Sequence, residues 1–304
     1  MVERQIDELQ SMKQSDPEAI VSELESNLAK IKRNKTMYYN EKQDKKWIKR
    51  YYEPITNHGD PIRLYRDLQK LVIKTHTDKK PYFISKDQYL YTWVDLQPNG
   101  RLTCIYSGKQ RDPQEFIEED FEVLEERFHR YKKLLHTDKY TNKEMSRKIR
   151  NISRQHRFNA EHVVPQSWYR GKEPMKGDLH HLFACEPICN RMRSNYPYDH
   201  FENLDAQNSC GTHIKNRFEP SYGKGVVARA SLYFFLRYPK KITRKFRKQL
   251  DIPLLINWHK QYEVTDYEKH RNKAIYEIQG NRNPFIDFPE IVDEITIPDP
   301  RYKY

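Results

Sequence analysis

A chain of 304 residues with 37% hydrophobic and 32% charged residues has room for one large domain or two small ones. Its 22 Tyr and 13 Phe exclude wholesale disorder, and no run approaches the ~20 apolar residues of a membrane span. The formal net charge of +12 favours a polyanionic partner: DNA, RNA or anionic lipid.

Residues 1–60 are highly charged and contain no glycine before Gly59. Ser15-Asp16-Pro17-Glu18 reads as a helix start, and Ile20, Leu24, Leu28 and Ile31 follow on one helical face. This predicts a charged helical N-terminal extension that packs on the body, a partner-binding arm being the alternative. The remainder, 61–304, reads as one body. Residues 61–76 are helical by period, with Leu64, Leu68, Leu71 and Val72 on one face. Tyr89-Leu90-Tyr91-Thr92-Trp93-Val94 and Leu102-Thr103-Cys104-Ile105-Tyr106 flank Pro98-Asn99-Gly100, which predicts a hairpin with strands over 89–96 and 101–107. Asp112-Pro113-Gln114-Glu115 opens a helix, and Ile117, Phe121, Leu124, Phe128, Tyr131 and Leu135 form its apolar stripe.

Residues 145–157 carry five Lys/Arg and no acid, and residues 240–248 carry six. A charge run is usually a solvated face, but two in so basic a chain are better read as phosphate contacts. Lys148, Arg154 and Arg157 are the candidates in the first run. Gly225 to Tyr238 is apolar on most sides and predicts a buried helix stopped by Pro239. Thr265 and Glu268 have capping-box spacing for a helix to Ile278, with Gly280 at its C-terminal cap. The tail from Asp287 to Asp299 is acidic and proline-punctuated.

The densest chemistry lies between Phe158 and Asn195, where Glu161-His162, Asp178, His180-His181 and Asn190 occur together. Glu161 is a hard oxygen donor suited to Mg²⁺, Mn²⁺ or Ca²⁺. A histidine beside it is suited to take a proton from water. Leu182-Phe183 reads as a short strand, and Glu186-Pro187 opens a helix with Asn190 in its first turns. One carboxylate and one carboxamide leave most of a cation's shell to water and phosphate oxygens, as at phosphoryl-transfer sites. Zinc is the competing reading, on Cys185, Cys189 and Cys210 with His200 or His213. The Cys-x3-Cys spacing misses the usual pattern, and buried thiols are the better account. His180 is read as holding the loop or hydrogen-bonding a catalytic neighbour rather than binding metal.

These residues carry a resemblance. FNAEHVVPQSW (158–168), DLHHLFACEPICNRMRSNYP (178–197), FEPSYGKGVVARASLYFFLRY (218–238) and RNKAIYEIQGNRNPFIDFPEIV (271–292) are similar to the endonuclease I family. These are non-specific nucleases of the ββα-metal (His-Me finger) group, and the Gram-positive extracellular ribonuclease branch is the most similar. LYTWVDLQPNGRLTCIYSGK (90–109) also fits, so the resemblance runs from about residue 60 to 292.

The resemblance implies an α+β fold, a mostly helical body around a ββα-metal core at about 155–197 with a small antiparallel hairpin. It implies largely sequence-non-specific hydrolysis of DNA and/or RNA to 5′-phosphate products, with one Mg²⁺ (or Mn²⁺ or Ca²⁺) per active site. The family's general base falls on His162, and its metal-binding residues fall on Glu161 and Asn190. Arg193 matches an arginine after that asparagine and is expected to bind phosphate or anchor a loop. His180 is placed beside these catalytic groups. Arg170, the only arginine between Ser167 and Asp178, is the candidate for holding the product phosphate. Some relatives carry an acid where this chain has Lys176, so any role of that acid is absent or filled elsewhere.

Two other readings stand beside this one. The first is a non-catalytic nucleic-acid-binding protein on the same fold. The second is a phage, plasmid or defence nuclease targeted by residues 1–60 through a protein partner. The start MVERQIDELQSMKQSD has no apolar signal-peptide core, and four cysteines are too few for a disulfide scaffold. A cytoplasmic location is therefore expected, the alternative being a secreted protein whose signal has been removed.

Overall fold

The computed structural model describes residues 16–56, 59–135, 140–202 and 209–298. The expectations for residues 1–15 and for Asp299 lie outside these. Helix α1 (Pro17–Arg33) starts where Asp16 accepts a hydrogen bond from the Glu18 N–H at 3.0 Å and Pro17 supplies the first turn. Ile20, Leu24 and Ile31 are buried on its inner face. Helix α2 (Glu41–Tyr51) is tied to the far end of the chain, where buried Arg282 grips Asp44 through two bonds of 3.0 and 3.1 Å. Helix α3 (Pro61–Thr75) is capped by Asp60 and buries Leu64, Leu68, Leu71 and Val72, the stripe read from its period.

The next segment departs from expectation. Residues over 89–96 do not form a strand. They lie in a helical run, Tyr82–Ile84 continuing into a π-helix, Ser85–Val94. Aromatic and β-branched residues favour strands only when one face is half-buried. Here Leu90, Tyr91 and Val94 are all core residues, and Lys86 is buried between Asp87 and Asp120. Tertiary packing on most sides overrides the local preference. The Asn99-Gly100 turn does form, with Gly100 at φ +76° and its N–H on the Gln97 carbonyl at 2.8 Å. Its arms meet only at the Leu96–Leu102 bridge. The ladder that follows joins β1 (Leu102–Thr103) to β2 (Gln110–Arg111).

Helix α4 (Pro113–Leu135) and helix α5 (Asn142–Gln155) follow, the second closed by a Thr141–Glu144 capping box. The Leu135 side chain lies outside the described residues. Strand β3 (Ala160–His162) pairs with β4 (Leu182–Ala184), and helices α6 (Gln166–Tyr169) and α7 (Pro187–Arg193) follow the two strands. A third pair, β5 (Gly211–Ile214) and β6 (Arg217–Pro220), leads to α8 (Lys224–Arg237), buried almost throughout as its composition requires. Beyond it come a basic turn, α9 (Arg244–Arg247), then α10 (Ile252–Gln261) and α11 (Asp266–Gln279). Helix α11 has the capping box of Thr265 and Glu268 and ends at Gly280.

The fold is α+β and mostly helical, with three two-stranded antiparallel sheets among the described residues. Two hydrophobic cores meet at β3–β4. Val163 and Phe183 belong to the core around α8, whereas Ala160, Leu182 and Ala184 belong to the core around the π-helix. Among the described residues no helix is long and apolar enough to cross a membrane.

Candidate active site

The register of the central pair sets Glu161 opposite Phe183 and His162 opposite Leu182. Successive strand residues point to opposite faces, and these two find separate sets of partners. Glu161 is 4% exposed. Its Oε1 accepts the Tyr106 hydroxyl at 2.8 Å and lies 3.4 Å from Arg193 Nε. Burial pushes its pKa up to about 7, against the opposing pull of Arg193, the Tyr106 hydrogen bond and Arg157.

Asn190 sits in α7, whose first turn is Pro187. Its Nδ2 donates to the Ala160 carbonyl at 2.7 Å, which fixes the direction of the carboxamide. Its Oδ1 is left as an acceptor and takes the Arg157 guanidinium at 2.8 Å. Arg157 also acts electrostatically on Glu161. Arg157 therefore bonds the carboxamide oxygen and acts on the carboxylate, two hard oxygen donors. That donor chemistry fits a Mg²⁺-type ion.

His162 is 6% exposed, with its ring between those of Tyr82 (5.1 Å) and His181 (5.4 Å). Burial, with His181 alongside, pushes its pKa down to about 3, so the ring is neutral. Its Nε2 lies 2.8 Å from the Lys176 carbonyl, which can only accept. Nε2 therefore carries the proton, and Nδ1 presents the lone pair. The side chain near Nδ1 is Gln166, whose Nε2 is 3.3 Å away.

The loop that supplies the Lys176 carbonyl is pinned twice. Glu173 accepts the Tyr82 and Gly177 N–H groups at 2.9 and 2.8 Å, and the Ser85 hydroxyl donates to the Gly177 carbonyl at 2.6 Å.

Two expected catalytic groups are held in other tasks. Arg193 is 0% exposed, donates to the Val163 carbonyl at 2.7 Å and lies over the Trp168 and Tyr198 rings. Of its two expected roles it takes loop anchoring, since a guanidinium without access to solvent cannot meet an incoming phosphate. His180 is engaged by other partners. Its Nε2 meets the Asn281 carbonyl at 3.2 Å and its ring packs on Tyr233 at 4.2 Å. It is His181 whose ring lies beside that of His162.

Asp178 is a buried hub that accepts from the Tyr233 and Tyr238 hydroxyls (both 2.8 Å), Gln279 and the His180 N–H. Burial opposes its charge, but His76, His180, His181 and the Gln279 bond hold it below the ordinary carboxylate range.

Tyr106, Gln166, Arg271 and Asp95 were not legible from the sequence. Arg271 donates to the Leu179 and Leu182 carbonyls at 2.7 and 3.0 Å and pairs with Asp95, which accepts the Ala184 N–H. β4 is thereby braced from a helix about ninety residues away, a distance at which spacing carries no signal.

The basic candidates divide. Arg170 is exposed at the C-terminal cap of α6. Lys148 is half-buried with Nζ over the Tyr140 ring at 4.4 Å. Arg157 is engaged by Asn190, and the Arg154 side chain lies outside the described residues. The second basic run docks directly beside the site. The Thr243 N–H donates to the Trp168 carbonyl at 2.8 Å, and Phe246 stacks on Trp168 at 5.4 Å, leaving Arg244, Lys245 and Lys248 exposed.

The sulfur chemistry removes the zinc alternative. Cys189 and Cys210 are joined as a disulfide. Cys104 and Cys185 are buried thiols 3.8 Å apart. His200 meets Glu219, and His213 stacks on Tyr196.

The site thus combines two hard-oxygen side chains, Glu161 and Asn190, with a neutral histidine of fixed tautomer. A family model described as Endonuclease I matches residues 66–290, and the chain belongs to the endonuclease I family. It is 34% identical over 173 residues to an extracellular ribonuclease of Bacillus subtilis (strain 168), covering 51% of this chain and 59% of that protein. It is 30% identical over 162 residues to a periplasmic deoxyribonuclease of Aeromonas hydrophila (45% and 66%). Endonuclease-1 of Buchnera aphidicola subsp. Baizongia pistaciae is likewise 30% identical over 162 residues (45% and 64%). The chain therefore spans 59–66% of the length of these relatives.

The names correct the cytoplasmic expectation, since relatives named for a location are periplasmic or extracellular. The Cys189–Cys210 disulfide points the same way, because such bonds persist in oxidising compartments.

Proposed function

We propose that the protein is a divalent-metal-dependent endonuclease that hydrolyses phosphodiester bonds of DNA, RNA or both with little sequence preference, leaving 5′-phosphates. The observation that carries this reading is the neutral His162, tied through Nε2 to the Lys176 carbonyl with Nδ1 as its base atom, on the same strand as Glu161. Relatives named deoxyribonuclease and ribonuclease support the substrate class. β3, β4 and α7 serve as the ββα-metal core. Residues 61–304 carry the nuclease domain, and the described part of residues 1–60 is a helical extension that packs on it.

Glu161 and Asn190 would hold one Mg²⁺, Mn²⁺ or Ca²⁺ ion. When bound, such an ion supplies Lewis-acid stabilisation of charge developing on phosphate oxygens. His162 Nδ1 takes a proton from water as the water oxygen bonds to phosphorus. The bond from phosphorus to the 3′ oxygen breaks, and that oxygen leaves and takes a proton from solvent water. Tyr106 and Arg193 hold the Glu161 carboxylate in place. The exposed cations Arg170, Arg244, Lys245 and Lys248 track the backbone, so binding is expected to weaken steeply with salt.

The test is plasmid and RNA cleavage with Mg²⁺ or with EDTA. His162→Ala should lose on the order of 10²-fold or more in rate. Wild-type cutting by His162→Ala removes the base assignment, and cutting unchanged by EDTA removes the metal.

A further inference from the structure

The nuclease chemistry leaves one polar side chain at the base without a task. Gln166 opens α6, immediately after the turn at Val163-Val164-Pro165 that ends the catalytic strand. Its backbone is fixed. The Gly171 N–H donates to the Gln166 carbonyl at 2.8 Å, and the Thr243–Trp168 bond and the Trp168–Phe246 stack clamp the same short helix. Its side chain is half-buried, with Nε2 towards His162.

The hydrogen bonding of His162 decides which way the carboxamide faces. Nε2 carries the proton, so Nδ1 accepts, and Gln166 must present its N–H. The contact is 3.3 Å, well beyond the usual distance of about 2.9–3.0 Å for a good N–H bond, so it is weak and readily exchanged. The atom it covers is the one that must accept a proton from water.

We propose that Gln166 is the positioning residue for the attacking water, an inference that rests on the nuclease reading. Water entering at Nδ1 displaces the amide N–H, and the carboxamide turns so that its Oε1 accepts the water's second proton. One O–H of the water points at His162 Nδ1 and the other at Gln166, which leaves an oxygen lone pair for phosphorus. In the step itself the O–P bond forms, the proton passes to Nδ1 and the 3′ oxygen departs with the electron pair of the broken P–O bond. Gln166 exchanges no proton. Its contribution is orientation, a factor worth large rate effects when reacting atoms are already within contact distance.

Two variants of similar length separate the functions of the carboxamide. Gln166→Met removes donor and acceptor, whereas Gln166→Glu keeps an acceptor and removes the donor. With duplex DNA and Mg²⁺ at about pH 8, Gln166→Met should lose kcat by roughly 10- to 100-fold with KM within about twofold, the pattern of a group used only in the transition state. Gln166→Glu should stay within about fivefold of wild type in kcat, since the acceptor is retained. The ¹⁵N shifts of His162 should report the same Nε2–H tautomer in all three proteins, because Lys176 sets it.

Wild-type kcat in Gln166→Met overturns the proposal. So does an equal loss in Gln166→Glu, or a changed tautomer in Gln166→Met, which would make Gln166 a holder of the ring instead. His162→Ala run alongside keeps the two readings apart. An inactive His162→Ala beside a fully active Gln166→Met sinks the water-holding role alone, while a wild-type protein that cuts nothing sinks both.

Discussion

Gly177 follows the residue whose carbonyl holds the base. A Cβ built there would lie 2.1 Å from the Lys80 carbonyl oxygen and 3.0 Å from Pro81 C and Tyr82 N, all backbone atoms. Ordinary contact needs about 3.4 Å, so Gly177→Ala must move one of the two chains by about 1 Å. The Gly177 N–H and carbonyl are both bonded, to Glu173 and Ser85, so the shift is passed to the adjoining peptide. A 2.8 Å bond from His162 Nε2 to Lys176 lengthened by that amount is no longer a hydrogen bond. Misplacement of this size costs on the order of 10²-fold in rate, about 2.7 kcal/mol in barrier. Overpacking should also lower stability by roughly 1–3 kcal/mol. The assay is kcat on a fluorophore-labelled duplex at saturating DNA and Mg²⁺, at a temperature where melting curves show the variant folded. A folded Gly177→Ala within about threefold of wild-type kcat would refute the claim that this close approach holds the base.

Glu161 gives a pH prediction with a definite sign. Its folded pKa is about 7 against an ordinary 4.5, so the native state binds the proton more tightly than the unfolded chain. The stabilisation is complete below about pH 4.5 and is lost as pH rises through about 7, at most about 3 kcal/mol. Urea melts without divalent metal should show that decline in wild type and not in Glu161→Gln, and an equal slope in both refutes the assignment. The Cys189–Cys210 link closes a loop of sequence separation 21 and should contribute about 3 kcal/mol by chain entropy. Thermal melts of Cys210→Ser, and of wild type with reductant, should both fall, whereas unchanged melts would mean that the link adds nothing. Reversing Arg244, Lys245 and Lys248 to glutamate should raise KM, leave kcat nearly intact and flatten the salt dependence of binding by about one unit for each phosphate no longer neutralised. An unaltered salt slope would take the second basic run off the nucleic-acid path.

The parts of the fold legible in the sequence were those written locally. Asp16-Pro17, the Thr265–Glu268 box and the burial of Gly225–Tyr238 depend on neighbours within a few residues, and each appears where its signal stood. The short strand at Leu182-Phe183 and the helix carrying Asn190 were legible for the same reason. The run over 89–96 departs from its local signal because its conformation is set by what surrounds it. Lys86 is neutralised by Asp120 of another helix, and Asn27 of α1 donates to the Thr92 carbonyl.

The site divides the same way. Types and spacing point to Glu161, His162 and Asn190 as chemical groups. Only the folded chain shows that Arg193 is sealed under Trp168 and Tyr198, that His181 rather than His180 lies beside His162, and that Tyr106 bonds the carboxylate. The disulfide was likewise hidden, since four cysteines at spacings of 81, 4 and 21 admit several pairings.

The bond from His162 to Lys176 has a further consequence for how this site can change over generations. The acceptor is a main-chain oxygen, and every amino acid brings the same one. Position 176 can therefore drift through lysine, acid or neutral residue without disturbing the tautomer of the base. Natural variation there is expected to be wide, while the next position stays confined to glycine by the 2.1 Å approach of Lys80.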